Sequence, residues 1–290
     1  MKILVIGRHG QLAQSLAERG GEDVNLVGRP ELDFATVGSA RSAILAARPE
    51  LVVNAAAFTA VDLAEADEAQ AKRINADAAG EVAVVARELG VPLIHISTDY
   101  VFDGRASTPY TETAPTAPIN AYGRTKLAGE EAVRAADPGA MILRTSWLVS
   151  PFGRNFVRTM VDLGQQRDTL SVVADQYGTP TSALDLADAI MVVARCWAGR
   201  DYTGLGQTYH VAGSGVASWF DLAVAVQQEA KTGATVTPIT TTDWPTPAAR
   251  PAYSALDSSK FARDFGLRLP DWRTSLPFLV RRLAGRTEMR

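Results

Sequence analysis

The chain has 290 residues, long enough for one large domain or two modest ones. Hydrophobic residues make up 47% and charged residues 21%, the balance of a folded globular protein, which excludes disorder as the dominant state. With 29 Lys+Arg against 32 Asp+Glu the formal charge is −3, and a chain so near neutrality has no field to draw in a polyanion, so no nucleic-acid partner is expected.

Short apolar runs alternate with longer helical ones through the first half. Strands are expected over Lys2–Ile6, Asn25–Val27, Leu51–Val53, Pro92–Ser97 and Met141–Arg144. The intervening helices are expected over Gln11–Arg19, Ser39–Ala47, Glu68–Leu89 and Ala121–Ala136. This alternation predicts a parallel sheet built from right-handed crossovers. The second half is less regular. Helices are expected over Phe152–Leu163, Leu184–Trp197, Trp219–Glu229 and Ser258–Phe265, with a strand over Gln207–Val211. The stretch Thr235–Pro251 carries four prolines and reads as turns. The expected division is a dinucleotide-binding domain over 1–150 and, over 151–290, a mainly substrate-binding lobe partly interleaved with it.

The single Cys196 excludes an intrachain disulfide and a cysteine-rich metal site. His9, His95 and His210 share no ligand spacing, so no metal is expected. No run approaches 18 apolar residues, which predicts no membrane span. The apolar start at Met1–Ile6 stops at Gly7, too early for a signal peptide, and a cytoplasmic protein is expected.

The first strand runs into Gly7-Arg8-His9-Gly10-Gln11-Leu12-Ala13, a G-x-x-G-x-x-A loop. Gly7 permits the tight turn, Gly10 lets the backbone approach a pyrophosphate, and the helix that follows offers free N–H groups to the phosphates. After the second strand, where an acid would bind a ribose 2′-OH, stands Arg29. It either pairs with a 2′-phosphate, which selects NADPH, or is a solvated loop residue. NADH remains a possible second cofactor.

The fourth strand ends in Ser97-Thr98-Asp99, at the carboxyl edge where such sheets bind ligands. Tyr122 and Lys126 lie four apart on one face of a predicted helix. An ammonium about 4 Å from the phenol would favour phenolate by ~4 kcal/mol, or about three pKa units. The phenol would act as the acid, the Thr98 hydroxyl would bind the same carbonyl oxygen, and a hydride carrier would face the carbon.

These features resemble the extended short-chain dehydrogenase/reductase superfamily and, within it, the dTDP-4-dehydrorhamnose reductases. The resemblance spans nearly the whole chain and rests on Gly10–Leu12, Val53–Asp62, Ser97–Gly104, Tyr122–Glu130, Arg144–Trp147, Asn155-Phe156, Asp175–Thr181 and Pro247–Pro251. It implies a Rossmann-type doubly wound α/β sheet with a smaller α/β substrate-binding lobe. It also implies reduction of the C4 ketone of dTDP-4-dehydro-β-L-rhamnose by NAD(P)H, with Tyr122 as proton donor and Lys126 and Thr98 beside it. By matching position, Gly10, Gln11 and Leu12 would contact the cofactor phosphates, Asp33 and Phe34 its adenine, and Ala57, Phe58 and Thr59 its path. Thr98, Asp99 and Trp147 would contact the substrate; on the residues alone, Trp147 could equally be core packing. Asn155 and Arg250 would line the substrate site, although Arg250 could instead cap a loop or pair with an acid. Some relatives dimerise through a metal held by glutamates. Here Gln11–Leu16 holds no acid, so a monomer or weak homodimer without Mg²⁺ is expected. A nucleotide-sugar epimerase or dehydratase, and a non-catalytic relative like the regulatory subunit of methionine adenosyltransferase, remain alternatives.

Overall fold

The structure is a computed structural model and describes residues 1–36 and 38–285. The first half contains β1 (Ile3–Ile6), α1 (Gln11–Gly20), β2 (Val24–Val27), α2 (Ser39–Ala47), β3 (Leu51–Asn54) and α3 (Val61–Ala66). It continues with α4 (Glu68–Lys72), α5 (Ala78–Glu88), β4 (Leu93–Thr98), α6 (Ala121–Ala136) and β5 (Met141–Thr145). The second half contains β6 (Leu148–Val149), α7 (Phe156–Gly164), β7 (Thr169–Val173), β8 (Tyr177–Gly178), β9 (Thr181–Ser182) and α8 (Ala183–Ala198). It ends with β10 (Thr208–His210), β11 (Ala217–Ser218), α9 (Trp219–Ala230), β12 (Thr235–Ile239), α10 (Ser259–Phe265) and α11 (Trp272–Ala284).

Six strands form one parallel sheet in the order β10-β5-β4-β3-β1-β2. Its inner strands β1, β3 and β5 are buried at every position, because helices cover both faces. One apolar layer joins β1, β4 and β5 to α1 and α8 through Leu12, Leu16, Ile190 and Trp197. The other joins β1 and β3 to α2 and α5 through Ile44, Val82 and Leu93. The chain leaves β1 towards β2 on one side and returns through β3 to β4 on the other. The reversal between β1 and β3 opens a crevice at the carboxyl ends of the strands.

The helix expected over 68–89 is interrupted by a π-helical turn at Arg73–Asp77. The strand expected at 207–211 is β10, which pairs with β5 and completes the main sheet. With α8 packed on the same sheet, residues beyond 150 contribute to the sheet and to the helical layer of the first unit.

Two elements of the second lobe escape the sequence pattern. The Pro-rich tract opens with β12, parallel to β7. Pro238 is tolerated there because β12 has a single neighbour and leaves an edge free of ladder bonds. Helix α11 contains Pro277, which reads as a breaker, yet Trp272, Leu276, Leu279, Val280 and Leu283 form a buried stripe at helical spacing. Its stripe closes the lobe's core with Val157, Val161, Leu222 and Val226.

Candidate active site

The crevice is a cleft of about 950 Å³. Every strand end on its floor contributes to the lining. Gly7, Gly10, Gln11 and Leu12 come from the turn after β1, and Arg29, Asp33 and Phe34 follow β2. Ala57, Phe58 and Thr59 follow β3, Thr98 and Asp99 close β4, Tyr122 and Lys126 project from α6, and Trp147 follows β5. Fifteen of the seventeen site residues expected from sequence thus meet in one space.

Asn155 and Arg250 are not among the lining residues. The Asn155 side chain caps α7, accepting from Arg158 N at 3.1 Å and donating to Ser150 O at 2.8 Å. Arg250 is ion-paired with Asp62 at 2.9 Å and also donates to Ala248 O. Asn120 Nδ2 bonds Ala249 O at 2.8 Å, so the segment around Arg250 is strapped to the start of α6. Its guanidinium is engaged by an acid there.

The first turn is shaped for a dinucleotide. Gly7 has φ +123°, and a Cβ there would meet the Ala55 backbone at 3.2 Å. Gly10 caps α1 without a side-chain bond, and the first turn of α1 has no acid, so its N–H groups are free to face an anion. Gln11 is anchored sideways, with Nε2 on Leu148 O at 3.2 Å and Oε1 taking the Ser150 hydroxyl at 2.9 Å. The π turn also serves the cleft. Its Asn75 brackets Phe58 through N–H and carbonyl at 2.7 and 3.2 Å, and donates to Thr125 Oγ1 at 3.0 Å. The Phe58 loop is thereby tied to α6.

Tyr122 is delivered by the start of α6. Asn120 Oδ1 accepts from Gly123 N at 2.8 Å, an N-cap. A Cβ at Gly123 would collide with Tyr100 O, so glycine lets the helix press against the turn after β4. Tyr100 and Tyr122 meet edge to face at 5.6 Å.

Burial dominates the ionisation on the floor. It pushes the Tyr122 phenol up to about 12, with hydrogen bonding between it and Thr98 opposing and the nearby Asp99 carboxylate adding to the rise. Lys126 is pushed down to about 8 by burial, with Glu130 opposing. The sequence led us to expect an ammonium that depresses the phenol. Instead Lys126 Nζ donates to Ile96 O at 2.7 Å, and desolvation controls Tyr122. Asp99 is raised to about 7 by burial, opposed by hydrogen bonds from Ser254 and Thr98. The Thr98 hydroxyl donates to Asp99 Oδ1 at 3.0 Å and accepts from Tyr100 N at 3.2 Å.

Several contributors lie outside the sequence reading. Glu130 binds Arg144 through both oxygens, at 2.8 and 2.7 Å, and accepts from the Ser97 hydroxyl at 2.5 Å. This buried network clamps the ends of β4 and β5 to the helix that carries Tyr122. Glu130 lies one helical turn beyond Lys126, a spacing visible in the sequence; its partner Arg144 belongs to a different element. Trp147 adopts a left-handed φ of 45° and stacks on Trp219 at 3.4 Å with planes 1° apart. A Cβ at Gly178 would collide with its indole. Arg8, Arg73 and Arg154 also line the cleft, Arg8 paired with Glu31 at 2.9 Å and Arg73 with Glu81 at 2.8 Å. Among the described residues, no group of three or more His, Cys, Asp or Glu side chains could hold a metal ion.

A parallel sheet with a dinucleotide turn at its switch point, and Thr98, Tyr122 and Lys126 at one end of the same cleft, defines a Rossmann-type oxidoreductase of the extended short-chain dehydrogenase/reductase kind. The chain belongs to the family described as the RmlD substrate binding domain, whose model matches residues 1–284. It is 44% identical over 286 residues to the dTDP-4-dehydrorhamnose reductase of Sinorhizobium fredii, covering 97% of each chain. It is also 44% identical over 283 residues to a probable dTDP-4,6-dihydroxy-2-methyloxan-3-one 4-ketoreductase of Streptomyces antibioticus, covering 95% of this chain and 93% of the relative. Among solved structures, it superposes on the dTDP-4-dehydrorhamnose reductase of Bacillus anthracis in complex with NADP with a TM-score of 0.88. That pair is 36% identical, over 96% of this chain and 99% of the other.

Proposed function

We propose that this chain reduces the C4 ketone of dTDP-4-dehydro-β-L-rhamnose to give dTDP-β-L-rhamnose, the last step of dTDP-rhamnose synthesis, with NADPH as cofactor. The observation that carries the reading is the meeting of Thr98, Tyr122 and Lys126 in one dinucleotide cleft, in a chain 44% identical to a reductase of that name.

The residues fit the cofactor. Gly7 makes a tight turn in which a Cβ would press on the Ala55 backbone, and the uncapped start of α1 suits a diphosphate. Gly10, Gln11 and Leu12 would hold the phosphates, Asp33 and Phe34 the adenosine, and Ala57, Phe58 and Thr59 the path between. Arg29, exposed on the cleft wall, would read the 2′-phosphate, and NADH would be the weaker cofactor. When bound, NADPH supplies the hydride.

The protein's part is to place the ketone and move a proton. The phenol is protonated at neutral pH, which is the form a reduction needs. It gives its proton to the carbonyl oxygen as the alcohol forms, while the Thr98 hydroxyl turns its single hydrogen from Asp99 Oδ1 to the same oxygen. Lys126, with one N–H spent on Ile96 O, would hold the nicotinamide ribose with those that remain. Asp99 and the Trp147 indole contact the sugar.

Residues 1–150 would hold chiefly the cofactor and 151–290 chiefly the substrate. We further propose a monomer or weak homodimer in the cytoplasm with no nucleic-acid partner, in keeping with the charge of −3. Among the described residues no helix is long and apolar enough to cross a membrane. A second reading, reduction of the dTDP-keto sugar named for the Streptomyces antibioticus relative, has equal identity in its favour.

The test is NADPH oxidation by the purified chain with each keto sugar, repeated with NADH. Sugar-dependent oxidation with dTDP-4-dehydrorhamnose is expected, faster with NADPH. Turnover of only the other keto sugar would favour the second reading, and turnover of neither would remove both.

A further inference from the structure

On the cleft floor one side chain has no role in the mechanism above and no protein partner. Thr145 ends β5, is 8% exposed and lines the cleft. Its Oγ1 is buried without a hydrogen-bond partner among the described residues. A buried hydroxyl left in that state raises the free energy of the folded protein, and native structures hold few such groups.

Its position is informative. In the parallel register of β4 and β5, Thr145 stands directly beside Thr98. Register partners on neighbouring parallel strands present their side chains to the same face, about 5 Å apart. In the preceding pair, the Ser97 hydroxyl and two guanidinium nitrogens of Arg144 are held by Glu130. The next residue, Ser146, is also spent, with its hydroxyl on Thr179 O at 2.6 Å. Of the three hydroxyls along this strand end, those of Ser97 and Ser146 are engaged by the fold, and Thr145 keeps its own for something else.

We infer that Thr145 is a third hydroxyl of the reaction centre, which donates to a neutral ligand oxygen next to the reacting carbonyl. The inference rests on the reductase reading above. Two ligand groups present such an oxygen beside Thr98: the carboxamide of the nicotinamide and the hydroxyl adjacent to the ketone of the sugar. The chemistry is the same in both cases, a hydroxyl donor meeting an oxygen acceptor in a dry pocket.

Thr145→Val keeps the shape and deletes the hydroxyl, and Thr145→Ser keeps the hydroxyl. The Val variant is expected to hold or raise the Tm of the free protein, since it removes an unsatisfied polar atom, and to weaken ligand binding about three- to tenfold. The Ser variant is expected to recover most of that affinity. NADPH titration without sugar reads the carboxamide, and the KM of the keto sugar at saturating NADPH reads the sugar hydroxyl. A loss in either arm supports the inference and tells which oxygen is bound. Unchanged NADPH affinity together with an unchanged sugar KM would overturn it, as would a Val variant whose only change is a lower Tm. A wild type that neither binds NADPH nor reduces a keto sugar would overturn the reductase reading as well.

Discussion

The floor and the rim of the cleft carry similar side-chain chemistry under opposite conditions. On the floor Thr98, Asp99 and Lys126 are 6%, 2% and 2% exposed, and burial moves Asp99 up to about 7, Lys126 down to about 8 and Tyr122 up to about 12. On the rim Arg29 and Arg154 stand in solvent, and Arg8 meets the largely exposed Glu31. A charge in the dry floor is felt by every neighbour, whereas water and salt screen one on the rim. On the proposed reading the floor sets the chemistry, and the rim selects ligands by modest increments.

The largest expected effect follows from this contrast. Tyr122→Phe should lower turnover by roughly 10²–10⁴ while leaving NADPH affinity near wild type, because only the proton donor is lost. Steady-state rates and a cofactor titration check it, and near-normal turnover would take the phenol out of its role.

Next comes the clamp beneath the floor. Glu130→Ala would leave the Arg144 guanidinium buried without its acid, at a cost of about 3–5 kcal/mol read by urea unfolding. If stability changed as little as for an exposed pair, the floor would not be the dry region described here.

Asp99 sharpens the comparison through pH. Its folded-state value of about 7 lies above that of an unfolded carboxylate, so the folded protein retains a proton that the unfolded chain releases. The associated stability is fully present below about pH 4 and is lost as pH rises through about 7. Thermal unfolding of the wild type should weaken from pH 5 to pH 8, and Asp99→Asn should flatten that decline. An identical slope in both proteins would mean that another group titrates.

The smallest effect belongs to the rim. Arg29→Ala should weaken NADPH by a few-fold and NADH hardly at all, in line with ~1 kcal/mol for an exposed ionic contact. Equal losses for both cofactors would mean that the guanidinium does not meet the 2′-phosphate.

Much of the site was legible because its parts are local. Gly7 and Gly10 sit within one strand-turn-helix unit, and Tyr122 and Lys126 share one helix face, so spacing alone places each pair together. Asn155 and Arg250 show the limit of that reasoning. Each is a polar residue in a family-like segment, but a cap bond and an ion pair to Asp62 occupy them, and those partners are visible only when the chain is folded. The second lobe was harder to read for the same reason. Its β7–β12 pair joins residues more than sixty positions apart, and Pro238 and Pro277 disguise a strand and a helix whose burial comes from elsewhere.

By itself the sequence determined the parallel α/β architecture, the dinucleotide turn and the placing of a phenol and an amine on one helix face. These follow from periodicity, glycine placement and helical spacing, which are properties of short segments. Tertiary structure alone decided how dry the site is. The raised phenol, the carboxyl near neutrality, the Glu130 clamp and the unpaired Thr145 hydroxyl all arise where β4, β5 and α6 exclude water from one another. Ionisation and hydrogen-bond demand depend on that exclusion, and no single segment of the chain carries it.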